Sequence, residues 1–144
     1  MEFKTNSQKV CYQKVKTWMT ELFGEMAYAH EDIPSFAMGL GSAAVHVSVF
    51  PWGNDDATIT SRSYVVRSVE MTPDLMQFLL RENDTMRFGA FGIDADNDIF
   101  FEHTIVGSSA DRLELKASVL AVISTADSYD DKIIGRWGGK RARD

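Results

Sequence analysis

Val45-His46-Val47-Ser48-Val49-Phe50 leads into Pro51-Trp52-Gly53-Asn54-Asp55-Asp56, and Thr58 to Val69 follows. The first run alternates valine with His, Ser and Phe, the period of two of a strand whose two sides meet different surroundings. The middle run holds the Gly, Asn and Asp that turns favour. The third is rich in Thr, Val, Ile and Tyr, which suit a pleated surface. Strands joined this closely run antiparallel, because a parallel return needs a long crossover.

Reading outward, Ser35 to Leu40 is a further short strand, turned into the next at Gly41-Ser42. Upstream, helical periodicity runs from about Ser7 to Ala29. Val10, Val15, Trp18, Met19, Leu22, Phe23 and Met26 make one apolar stripe, with Ser7 or Asn6 as its cap. Gly24 weakens the last turns by about 1 kcal/mol, and Pro34 disfavours helical backbone at Ile33. Downstream, Thr72-Pro73-Asp74 starts a helix: Thr caps, Pro suits the first turn, and Asp meets the positive end. Leu75, Met76, Phe78, Leu79 and Leu80 make that helix apolar nearly all round, so it is expected to sit deep.

A hairpin follows, from Arg87 to Ile93, through Asp94-Ala95-Asp96-Asn97-Asp98, to Ile99 through Val106. Its second strand puts Ile99, Phe101 and Ile105 on one face and Phe100 and Val106 on the other. Apolar residues on both sides imply that both faces are covered, the second by another copy of the chain. Ser108-Ser109-Ala110-Asp111 opens a long last helix, with Ser108 and Asp111 as reciprocal caps. Gly138-Gly139 ends it, and Lys140 to Asp144 reads as a frayed tail. The sum is one α+β domain over residues 1–144 in the order α-β-β-β-α-β-β-α, with an antiparallel five-stranded sheet.

Bulk properties bound the function. The 144 residues are 44% hydrophobic and 25% charged, ordinary for a globular domain with a real core. A net charge of -6 argues against nucleic acid as partner, since phosphate contacts need a dense basic surface. One cysteine, Cys11, permits no internal disulfide and fits a reducing cytoplasm. The N-terminus lacks the apolar run of a signal peptide, and no stretch approaches the roughly 20 apolar residues of a membrane span.

No segment carries a complete chemical motif. Asp94-x-Asp96-x-Asp98 begins like a calcium loop, but Ile99 stands where that loop needs Gly and Ile105 where it needs Glu. Gly39-Leu40-Gly41-Ser42-Ala43-Ala44 matches a loose dinucleotide fingerprint, yet a valine-rich strand follows in place of a helix. His30, His46 and His103 lack ligand spacing, and Cys11 lacks an activating base. No catalytic residue, metal or cofactor is assigned. Glu102 and His103 would serve an alternative small-ligand or enzyme cleft, although neighbours in a strand point to opposite faces.

The order of elements, together with Phe50-Pro51-Trp52-Gly53, Thr72-Pro73-Asp74-Leu75-Met76, Phe78-Leu79-Leu80-Arg81-Glu82-Asn83, Phe88-Gly89, Phe101 to Gly107 and Arg136-Trp137-Gly138-Gly139, resembles the YbjN family, and within it the small cyanobacterial branch. Members share the fold of type III secretion chaperones. The resemblance implies a homodimer that binds a protein or peptide partner and performs no catalysis. Trp52, Phe100, Phe101, Val106, Arg136 and Trp137 are the candidate partner or dimer contacts. For each Trp beside Gly the alternatives are an anchor for a partner or a lid on the end of the core.

Overall fold

A computed structural model describes residues 1–143. Helix α1 (Asn6–Phe23) begins where Thr5 accepts a hydrogen bond from the Gln8 N–H at 3.1 Å, so Thr5, and neither Ser7 nor Asn6, is its cap. It stops earlier than its periodicity predicts. Gly24 takes φ 55°, a left-handed conformation open to glycine. A single 3-10 turn follows, and Ala27–Ala29 becomes strand β1. Met26, which extends the apolar stripe on paper, stands exposed.

Strands β2 (Ser35–Leu40), β3 (Ala43–Trp52) and β4 (Asp56–Arg67) form the meander read from the sequence. Its second turn is tighter than expected: Trp52 still pairs with Asp56, and Gly53 at φ 61° makes the corner. Helix α2 (Pro73–Thr85), capped by Thr72, leads to the hairpin of β5 (Ala90–Ile93) and β6 (Ile99–Val106). Helix α3 (Arg112–Trp137) is capped by Asp111, which accepts from the Glu114 N–H at 2.7 Å. Ser108 takes no part in that cap; its hydroxyl and its N–H both bind Asp56.

Through Arg143 the tail is not frayed, and Asp144 lies outside the described residues. Lys140–Arg141 form β7, paired with Arg67 and Val66 of β4. Arg141 reaches Asp131 and the buried Asp130, and Arg143 donates to the carbonyls of Gly41 and Ala43 at 3.0 and 3.1 Å. Ser42 in that same turn donates to Asp127 and Asp130 of α3. The sheet is therefore seven-stranded, in the order β1-β2-β3-β4-β6-β5 with β7 on β4, and antiparallel throughout. The two strands beyond the expected five are short pieces in segments read as helix and as tail.

Helices α1 and α3 cover one face of this sheet. Val15, Met19, Val45, Val47, Ile59, Phe101, Leu115 and Ile123 meet there, none more than 1% exposed. Helix α2 lies at the β5 end and is not deep: only Leu75 and Leu79 are buried, and Leu80 is 70% exposed. A helix beside a sheet edge buries one stripe, whatever its other sides carry.

The other face has no helix. Hydroxyls pair along it, Ser35 with Ser48 at 2.9 Å and Thr60 with Thr104 at 2.8 Å. Phe100 is covered from within the chain and needs no second copy. The Arg62 guanidinium lies 3.8 Å from the centre of its ring, held by Glu102 at 2.8 Å, and Tyr64 meets it edge on. The covering of both faces expected from β6 is thus, at Phe100, done by one arginine. Phe101→Ala empties a fully buried site against Phe91, and urea unfolding is expected to show a loss of about 3–5 kcal/mol.

Candidate functional site

Three regions offer surface to a partner. The first is an end of the helix-free face, where Phe50, Thr58 and Val106 stand in register across β3, β4 and β6. Phe50 is 50% exposed, Trp52 58% and Val106 36%. Trp52 projects from its hairpin and closes no core. Phe100 lies farther along the same face beneath Arg62, while Phe101 points the other way and is fully buried, so it offers nothing to a partner.

Arg136 and Trp137 lie elsewhere. The Trp137 ring packs on Phe78 at 4.9 Å, its indole N–H donates to Asp74 at 3.1 Å, and Arg136 donates to the same carboxylate. This clasp joins the end of α3 to the start of α2, so Trp137 closes the end of the core. The six candidates therefore separate: Trp52, Phe100 and Val106 share one face, and the other three do not join them.

The second region is the β1 edge, which the sequence did not single out. Among the described residues no strand pairs with the outer side of β1. Met26 and Tyr28 are each 62% exposed beside it, and Ile33 and Leu40 about half exposed. His30 and His46, sixteen residues apart in sequence, stack at 5.8 Å between ring centres, with Tyr28 next to His30. Only strand register brings them together: His46 and Tyr28 both oppose Ala37. The readable signal was the hairpin register, which spacing rules for ligands ignore.

The third region is a hollow of about 230 Å³ between α2 and β5, lined by Met71, Met76, Leu79, Leu80, Phe91 and Ile93 among others. Its apolar lining is the outward side of the helix that the sequence read as wholly apolar.

Chemically reactive groupings are few. Glu102 faces Arg62 on the open side, whereas His103 faces Ser118 beneath α3, its Nδ1 2.7 Å from Oγ. The two share no cleft. Ser118 is 1% exposed, so this Ser–His contact lies out of reach of a substrate. Asp94 spends its carboxylate on the N–H groups of Asp96 and Asp98 and on the Tyr64 hydroxyl, and Asp98 serves Arg67 and the Ser68 N–H. Among the described residues no three His, Cys, Asp or Glu side chains gather into a metal cluster. Gly41, at φ 58°, turns a hairpin in place of opening a nucleotide-binding helix. Burial pushes the Cys11 thiol above its ordinary pKa, away from nucleophilic use. No helix among the described residues is long and apolar enough to cross a membrane.

The helix-backed antiparallel sheet is a fold shared with solved structures. Among solved structures, the ExsC-ExsE complex matches with TM-score 0.64 at 12% identity, over 83% of this chain and 92% of that one. The HopA1-SchA chaperone-effector complex matches with TM-score 0.65 at 10% identity, over 87% and 96%. The Yersinia pestis type III secretion chaperone SycH, solved with a fragment of YscM2, matches with TM-score 0.58 at 14% identity, over 82% and 98%. No curated protein sequence matches the chain significantly. The chain belongs to the family of T3SS (YopN, CesT) and YbjN peptide-binding chaperones, whose profile matches residues 11–144.

Burial holds the His46 imidazole below its ordinary pKa, and His30 and Arg67 push the same way. Burial also lowers His103, with Glu114 opposing. The folded chain thus accepts these protons less readily than the unfolded chain. Stability is full above the unfolded value of about 6.5 and falls as pH drops below it. The depressed carboxylates of Asp56, Asp94 and Asp127 act only in a lower window, below about 3.8. Urea midpoints at pH 7.0 and 5.5 are expected to differ in the wild type and to converge in His46→Gln/His103→Asn; an unchanged gap contradicts the assignment.

Proposed function

We propose that the chain is a non-enzymatic, chaperone-like module that takes an extended segment of a client protein on the β1 edge of its sheet. One observation carries this reading: an edge strand whose outer side pairs with no strand among the described residues, flanked by exposed Met26, Tyr28, Ile33 and Leu40. Such an edge binds an added strand through main-chain hydrogen bonds, and the flanking apolar side chains choose the sequence. Phe50, Trp52 and Val106 extend the contact along the open face. Membership of a peptide-binding chaperone family supports it. Glu102 and His103 lie on opposite faces, which removes the basis of a ligand cleft between them. In this reading the protein acts in the cytoplasm, and the resemblance of its motifs to the cyanobacterial branch of the YbjN family supports membership of that branch.

The working form is a homodimer. The α2–β5 hollow, with the exposed Leu80 and Met76 in its lining, is an apolar patch that a twofold contact would cover with its own copy. Burying a leucine contributes roughly 1.5–3 kcal/mol, and each such contact occurs twice. Light scattering at micromolar concentration is expected to give twice the chain mass, and Leu80→Asp half of that with an unchanged circular dichroism spectrum. A wild-type monomer mass that persists on tenfold concentration rules out the dimer.

The client reading has its own test. Affinity capture from the native cell, read by mass spectrometry, names a client, and its bound segment is then synthesised. Adding the segment should slow amide exchange at Ala27–Ala29, and Tyr28→Ala should weaken binding about tenfold. A segment that binds while leaving those amides as exposed as before overturns the β1 assignment.

A further inference from the structure

The two edges of this sheet are treated differently. Strand β5 is the edge opposite β1. In an antiparallel ladder alternate residues turn their N–H and C=O groups outward, and in β5 those include Phe91. Both outward groups of Phe91 are occupied by one side chain. The Asn83 Oδ1 accepts the Phe91 N–H at 2.6 Å, and the Asn83 Nδ2 donates to the Phe91 carbonyl at 3.2 Å. A side-chain amide carries the same donor and acceptor as a peptide unit, so it closes the ring that an incoming strand would close. On a strand of four residues this removes about half of the outward pairing positions.

Asn83 lies in the last turn of α2, so the helix carries the plug. It also ends the Phe78-Leu79-Leu80-Arg81-Glu82-Asn83 run. The hollow beside it has an apolar lining, on a chain of net charge -6.

We infer that Asn83 seals the β5 edge against strand addition. The expected assembly state rests on the homodimer proposed above, and the seal divides the sheet: one edge receives a strand, the other refuses one. Natural sheets commonly protect an edge by such devices, because an open edge recruits further chains.

Amide exchange by NMR and light scattering on the full chain test this, with Asn83→Ala and Asn83→Asp. In the wild type the Phe91 amide is expected to exchange slowly. In Asn83→Ala it should exchange about tenfold faster, the loss of one hydrogen bond. Asn83→Asp retains an acceptor for the Phe91 N–H but sets its second oxygen against the Phe91 carbonyl, so its protection should fall between wild type and Asn83→Ala. The unsealed Asn83→Ala is also expected to form species larger than the dimer. Unchanged Phe91 exchange in Asn83→Ala, or a strictly dimeric Asn83→Ala, overturns the inference. Should Asn83→Ala fail to fold, a wild-type Phe91 amide exchanging as fast as exposed amides overturns it, and a protected one supports it. A wild-type monomer would defeat the dimer reading, while a Phe91 amide freed by Asn83→Ala would still identify the seal.

Discussion

Two long helices can cover only one side of a sheet this wide, and the rest of the structure follows from that. Valines 45, 47 and 49, Ile59, Phe101 and Ile105 face α1 and α3 and are buried with them. Their alternates face water and must be wettable: Ser48, Thr58, Thr60, Thr104, His46 and Glu102. Phe50 and Val106 at one end stay exposed, and Phe100 shows how an apolar side chain on this face is covered locally. Its cover is a cation already fixed by a cross-strand carboxylate, so a large aromatic side chain stays 8% exposed without a second layer.

The meander and the last helix were legible because their patterns are long. Twelve residues of β4 and twenty-six of α3 repeat their period often enough to override local noise. Short pieces were not legible. Ala27–Ala29 continues an apolar stripe and becomes a strand only because Gly24 breaks the helix. Lys140–Arg141 reads as a charged tail and is held by Asp130, Asp131 and two strand residues that the local sequence cannot reveal. The depth of α2 was misjudged for a related reason. An all-apolar helix says that several of its sides avoid water, and it does not say which of them the same chain covers.

The candidate residues divide along the same line. Trp52 and Val106 are exposed, because hairpin ends and strand ends on a bare face have nothing above them. Phe100 and Phe101 part to opposite faces as the strand period predicts, and Phe101 lies in the core. Of the two alternatives for Trp137, an anchor or a lid on the core, the structure shows the lid, because Asp74, more than sixty positions earlier, draws it and Arg136 inward. Asn83 stood in a quoted run with no role. Its value lies in a bond to a strand eight residues on, invisible to any pattern of polarity.

Order of synthesis adds a consequence of the one-sided core. The three strands of the meander leave the ribosome before Leu115 to Ile133 exist as chain. Helix α1 is already made and shields part of their apolar face. The rest of that face, which α3 covers in the finished fold, is bare for the time needed to translate some fifty further residues, several seconds at about 5–20 residues per second. The clasp of Arg143 on the Gly41 and Ala43 carbonyls joins the two ends of that interval. A chain truncated before α3 is therefore a candidate for aggregation or for rescue by general chaperones, even though every strand of its meander is intact.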